Sequence, residues 1–142
     1  MKIAVSASGD KLDAQVDPRF GRCQYFIIVD PDTMEFDAVS NESAMASGGA
    51  GIQAAQNVAN MGAEIVITGN VGPNAFQTLN AAGIKIVTGA AGTIQDVIEK
   101  FKNGELKETE AANVNSHFGM GGGRGMGRGG GGGRGMGGGR GR

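Results

Sequence analysis

The sequence predicts an α/β domain, a five-stranded mixed sheet with three helices, followed by a tail of a different kind. Three observations carry that expectation. Five short apolar runs rich in Ile and Val recur along residues 1–105, and segments of helical periodicity follow the third, fourth and fifth. Gly, Pro and Asp punctuate the connections. The last 24 residues, 119–142, contain only Gly, Arg and Met.

The elements follow in order. Lys2–Ala7 is an apolar first strand, and 8–22 is a polar loop. Tyr25–Val29 is a continuous apolar run, as expected of a strand buried on both faces. Asp30-Pro31-Asp32 marks a turn, and Glu35–Ser40 alternates and closes a hairpin. Ile52, Ala54, Ala55, Val58 and Ala59 form one helical stripe that Gly62 stops. Glu64–Thr68 is a short buried strand. Pro73 suits the first turn of a second helix, with Phe76, Leu79 and Ala82 inward and Gly83 at its end. Ile84–Thr88 is the fifth strand. Thr93 and Asp96 resemble a capping box before Ile94, Val97, Ile98 and Phe101, and Gly104 ends the third helix.

Short connections allow the first three strands to pair antiparallel, whereas helical crossovers make the last two parallel. Right-handed crossovers then favour the order 3-2-1-4-5. In that order the loops 8–22, 41–51, 69–73 and 89–93 gather at the carboxyl ends of the strands, where open α/β sheets bind ligands. Helices that begin at this edge present free N–H groups and positive dipole ends to an anion.

Composition divides the chain into a domain, 1–112, and a tail, 113–142. The whole chain is −1 and residues 119–142 carry +5, which leaves −6 on residues 1–118. Residues 119–142 have no acid, aromatic, Val, Ile or Leu, so they cannot bury a core and are expected to be disordered. No apolar stretch is long enough to span a membrane, and Met1-Lys2 leads directly into a strand with no signal-peptide pattern. A single cysteine, Cys23, excludes an internal disulfide framework and fits a reducing cytoplasm.

The most concentrated chemistry lies in Asp17-Pro-Arg-Phe-Gly-Arg-Cys23. Arg19 and Arg22 are bidentate donors flanking Phe20 and Gly21, and Cys23 offers a soft ligand; together they read as a grip for an anion or metal cluster. The plainer reading pairs Asp17 with Arg19, buries Phe20 and makes Cys23 a small hydrophobe. Gly48, Gly49 and Gly51 precede or open the first helix and could cradle an anion with backbone amides, or form a simple entry loop. The loop lacks the Lys and Ser/Thr of a phosphate-binding Walker loop. Gly69, Asn70 and Gly72 occupy the corresponding place before the second helix, as an anion cradle or a tight turn. His117, the only histidine, is a candidate metal ligand or a solvated linker residue. Asp10, Asp13 and Asp17 are the residues that a magnesium-dependent, nuclease-like enzyme would use, although their spacing does not demand it. The tail resembles RNA-binding arginine–glycine segments, with Met120, Met126 and Met136 in place of the usual aromatics. Arginines, glycine amides and thioethers equally suit an anionic metal cluster.

The first strand, Asp17-Pro-Arg-Phe-Gly-Arg22 leading into Tyr25–Asp30, Gly49-Ala-Gly-Ile-Gln-Ala-Ala55 and Thr68-Gly-Asn-Val-Gly-Pro73 together resemble the dinitrogenase iron–molybdenum cofactor biosynthesis family, over roughly residues 1–105. The resemblance implies a ribonuclease-H-like fold and a non-enzymatic protein that carries, stores or helps assemble an iron–sulfur or iron–molybdenum–sulfur cluster. Implied partners are the anionic metallocluster and cluster-assembly proteins; a homo-oligomer, and RNA through the tail, stay open. Some members carry histidines before the first helix, where Met45–Gly49 has none here. The tail is similar in composition to that of archaeal iron–sulfur storage members.

Overall fold

A computed structural model describes residues 1–45, 48–109 and 112. The tail from 113 onwards lies outside the described residues, and with it His117 and the expectations of disorder and RNA contact. The strands are β1 (Ile3–Ala7), β2 (Tyr25–Val29), β3 (Phe36–Ser40), β4 (Ile65–Ile67) and β5 (Lys85–Val87). The helices are α1 (Ala50–Asn60), α2 (Pro73–Ala81) and α3 (Ile94–Lys102). The sheet order is β3-β2-β1-β4-β5, as the crossover argument requires. β1 pairs antiparallel with β2 and parallel with β4; β2–β3 is antiparallel and β4–β5 parallel.

Alternation along the strands divides the core into two layers. Ala4, Phe26, Ile28, Val66 and Ile86 face α1 and α2, which contribute Ala54, Ala55, Val58 and Leu79. Ile3, Val5, Ile27, Val29, Ile67 and Val87 face α3, which contributes Ile94, Val97 and Ile98. The central strands β1 and β2 are therefore almost entirely buried, and β3, at the sheet's edge, is mostly exposed.

Three local expectations change. Ile52 is 36 % exposed rather than inward, because α1 buries the narrower stripe Ala54, Ala55 and Val58. Ala82 is exposed at the end of α2, and Ala75 takes the inward position. A single turn of 3-10 helix, Glu42–Met45, occupies part of the loop expected after β3. At α3 the Thr93 hydroxyl accepts from the Asp96 N–H at 3.1 Å, the hydroxyl half of the expected box. No helix among the described residues is long and apolar enough to cross a membrane.

Candidate functional site

The loop after β1 is sewn to its neighbours by backbone hydrogen bonds. The Val16 N–H donates to Gly92 at 2.8 Å, and the Ile94 N–H donates to Ala14 at 2.9 Å, tying residues 14–16 to the start of α3. The Asp17 N–H then donates to the Ser6 carbonyl at 2.9 Å. In return, the Ser6 hydroxyl donates to the Asp17 carbonyl at 2.7 Å. That use of its only hydrogen makes Ser6 the acceptor in its 2.7 Å bond with the Thr68 hydroxyl. Ser6 and Thr68 are fully buried, so this relay holds Asp17 over the ends of β1 and β4.

Residues 17–19 lie against the β4–α2 loop. Arg19 and Asn70 form a parallel bridge, and the Asn70 amide donates to the Pro18 carbonyl at 3.2 Å. A Cβ at Gly69 would stand 2.6 Å from the Pro18 Cα, so only glycine permits this approach. Asp17 is 5 % exposed and its carboxylate accepts from the Arg19 N–H, Nε and one guanidinium nitrogen at 2.9, 3.2 and 3.2 Å. These bonds raise the Arg19 pKa above its ordinary value. The arginine's charge is thus matched within its own loop.

Residues 20–23 turn to the other side. A Cβ at Gly21 would lie 2.8 Å from the Gly51 nitrogen, so the loop backbone rests on the first turn of α1. Gly51 in turn packs on Ala75 in the first turn of α2, where an added Cβ would meet the alanine Cβ at 3.1 Å. The two helix starts therefore touch. Each has a glycine at its cap position, Gly49 in left-handed backbone (φ 71°) and Gly72 in extended backbone, and neither receives a side-chain cap. Gly48 and Gly49 are exposed before α1. Arg22 is half-buried and donates to the Ala44 carbonyl at 2.9 Å; among the described residues it has no carboxylate partner.

Phe20 plugs the core, 2 % exposed, with its ring centroid 5.2 Å from that of Phe26. Cys23 lies beneath the same loop, inside the core. Its thiol is fully buried, donates to the Phe20 carbonyl at 3.4 Å, and has its pKa pushed up to about 12, mainly by burial and then by Asp17. It sits in the core as a small hydrophobe. Asp10, Asp13 and Asp17 do not assemble: no group of three His, Cys, Asp or Glu suited to a metal ion exists among the described residues.

One organiser escaped the sequence reading. Asn41, 6 % exposed, donates from one amide nitrogen to the Gly21 and Cys23 carbonyls at 3.2 and 2.9 Å. Its oxygen accepts from the Ser43 N–H and hydroxyl. An Asn after a strand reads as turn chemistry, and only the fold shows that it holds a loop 18 residues upstream.

The model of the dinitrogenase iron–molybdenum cofactor family matches residues 1–104. The chain belongs to this family. It is 31 % identical over 113 residues to an uncharacterised protein of Methanocaldococcus jannaschii, covering 78 % of this chain and 92 % of that one. Its fold superposes on the apo form of the orange protein from Desulfovibrio gigas with a TM-score of 0.78 and 44 % identity, covering 80 % of this chain and 96 % of the other. A candidate NifB protein from Thermotoga gives a TM-score of 0.66 at 39 % identity, over 75 % and 91 % of the two chains.

Proposed function

We propose that this family member is a non-enzymatic carrier or store for an anionic iron–sulfur or molybdenum–iron–sulfur cluster, held at the carboxyl edge of the sheet. The observation that carries the reading is the meeting of the α1 and α2 starts beneath Gly21, with Arg22 beside them and no side-chain cap on either helix. Two helix starts in contact, each with a positive dipole end and no side-chain cap, favour negative charge beside them. The family's cofactor and a neighbour described in its apo form agree with a bound cargo.

The same geometry constrains the cargo. Cys23 is buried and protonated, and no metal-ligating group of three exists among the described residues. A cluster whose metals are already coordinated by sulfide fits this edge better than bare metal ions. The protein would hold the sulfides by N–H donors and positive charge, a mode that tolerates loading and release without ligand exchange.

The deciding measurement is iron, molybdenum and acid-labile sulfide in protein purified without oxygen, with its visible spectrum. Stoichiometric metal and sulfide support carriage, and a large excess supports storage. Colourless protein that also refuses a reconstituted cluster refutes the reading.

A further inference from the structure

The two edges of the sheet are finished differently. At β5 the chain's own continuation closes the edge: the Thr109 N–H donates to the Ile86 carbonyl at 2.6 Å, and the Thr88 N–H donates to the Thr109 hydroxyl at 2.9 Å. At the other edge, among the described residues, no strand lies beyond β3. Its residues are exposed or half-buried along their whole length.

Hydrogen bonds at both ends of the β2–β3 hairpin fix which way its backbone groups point. The Asp30 N–H donates to the Glu35 carbonyl, and the Asn41 N–H to the Gln24 carbonyl, each at 2.9 Å. Bonded positions alternate along an antiparallel pair, so Asp37 and Val39 bond to their partners Ile28 and Phe26. The N–H and C=O groups of Phe36, Ala38 and Ser40 therefore point outward, away from β2. The register is continuous over all five pairs, with no bulge. The strand also carries neither Pro nor Lys, residues that commonly block an edge.

The strand is complementary to itself. Set antiparallel to a second copy about Ala38, its three outward residues meet Ser40, Ala38 and Phe36, and form about six backbone hydrogen bonds. Asp37 then lies opposite the second copy's Val39, and Glu35 opposite the second copy's Asn41, so no acid faces an acid. Phe36, 38 % exposed, gains the small Ala38 and Ser40 of the second copy as neighbours. Slipping by two residues one way sets Asp37 opposite its own copy; slipping the other way leaves Phe36 and Asp37 beyond the end of the second strand. We propose that two copies of this chain pair through β3 in the full register, joining their five-stranded sheets into one. Because the paired strands are antiparallel, the two loop edges point to opposite ends and both stay open. The pairing does not depend on what those edges bind.

The test uses the full-length chain. A pairing of five residues is short, so the dissociation constant should be on the order of 0.1 mM. Sedimentation equilibrium should show the mass rising from 14.3 kDa towards twice that value with concentration. Amide hydrogen exchange identifies the surface. Where about nine-tenths of the chain is paired, the Phe36, Ala38 and Ser40 amides should exchange about tenfold more slowly than in dilute protein, while Asp37 and Val39 are protected at every concentration. Ala38→Pro removes an outward N–H from each copy and leaves the β2 bonds in place, so it should weaken pairing at least about tenfold. Ala38→Lys, at an exposed position that tolerates a long side chain, sets two cations face to face and should weaken it too, less so at high salt.

A mass that stays at 14.3 kDa up to about 1 mM overturns the proposal. Association without slowing of the three outward amides places the contact on another face and overturns it as well. Protection of those amides at every concentration in a monomer assigns the edge to the chain's own residues beyond 112, with the same consequence. So does association that neither Ala38 variant changes.

Discussion

The loop between β1 and β2 has two halves that look alike in sequence and differ in physics. Residues 17–19 are fastened to the β4–α2 loop through Gly69 and Asn70, and their arginine is bound by a buried carboxylate. Residues 20–23 are fastened to α1 through Gly21 and to Asn41, and among the described residues their arginine meets a carbonyl and no carboxylate. The first half is a strut with its charges balanced internally. The second presents a cation and a glycine at two uncapped helix starts. Two arginines three positions apart therefore serve different ends, and the difference is set by what each half touches.

The largest effects should come from the two backbone contacts. Gly69→Ala places a Cβ 2.6 Å from the Pro18 Cα, and Gly21→Ala places one 2.8 Å from the Gly51 nitrogen. Neither neighbour is a flexible side-chain end, so each substitution should cost about 3 kcal/mol in urea denaturation. Gly48→Ala meets nothing within 4 Å and should change stability by less than about 0.5 kcal/mol. A small loss at Gly69 or Gly21 would mean that its half of the loop is not clamped.

Next in size is the ion pair. Arg19→Ala strips the buried Asp17 carboxylate of two of its three donors and leaves only the Arg19 N–H. A loss of about 2 kcal/mol is expected, less than for a fully buried pair because the Arg19 side chain is 42 % exposed. Adding Asp17→Asn should recover part of it. No recovery would show that the carboxylate is not the source of the cost.

Much of this fold is legible in the residues. Five apolar runs, Pro73 at a helix start, and the glycines at 62, 83 and 104 locate the strands and helix ends, because local periodicity and stop signals act over a few residues. The sheet order follows from connection lengths and handedness alone. The site was legible as a set of loops and not as a set of roles. Arg19 and Arg22 carry the same formal signal, and their difference depends on Asp17 lying buried and Ala44 lying near. Cys23 reads equally as a soft ligand or a small hydrophobe in sequence, and its burial is visible only in the fold. Asn41, Ser6 and Thr68 carry no recognisable pattern, since each acts across 11 to 62 positions of sequence.

Cys23 gives the third test. Its folded pKa is pushed up to about 12 from 9.0. Below about pH 9 the thiol is protonated in both states and contributes no pH dependence. Between pH 9 and 12 the unfolded chain loses this proton and the folded one keeps it, so stability falls as pH rises, by about 1 kcal/mol per pH unit. Cys23→Ala should flatten the stability profile in that window, and at pH 8 thiol reagents should react with the native chain only as it opens. Rapid labelling of the folded protein would return Cys23 to the edge and reopen its role as a ligand.

The smallest expected change in stability is at Arg22, and it sharpens the contrast most. Arg22→Gln keeps a donor that can reach the Ala44 carbonyl and removes a half-buried charge with no carboxylate partner among the described residues. Denaturation should shift by less than about 0.5 kcal/mol, while cluster retention falls, and more at low salt than at high. The expected pattern is thus inverse between the two arginines: Arg19 matters for folding, Arg22 for the anion. If Arg22→Gln leaves metal and sulfide content unchanged in protein that folds normally, the second half of the loop is another strut, and the anion must be sought elsewhere along the edge.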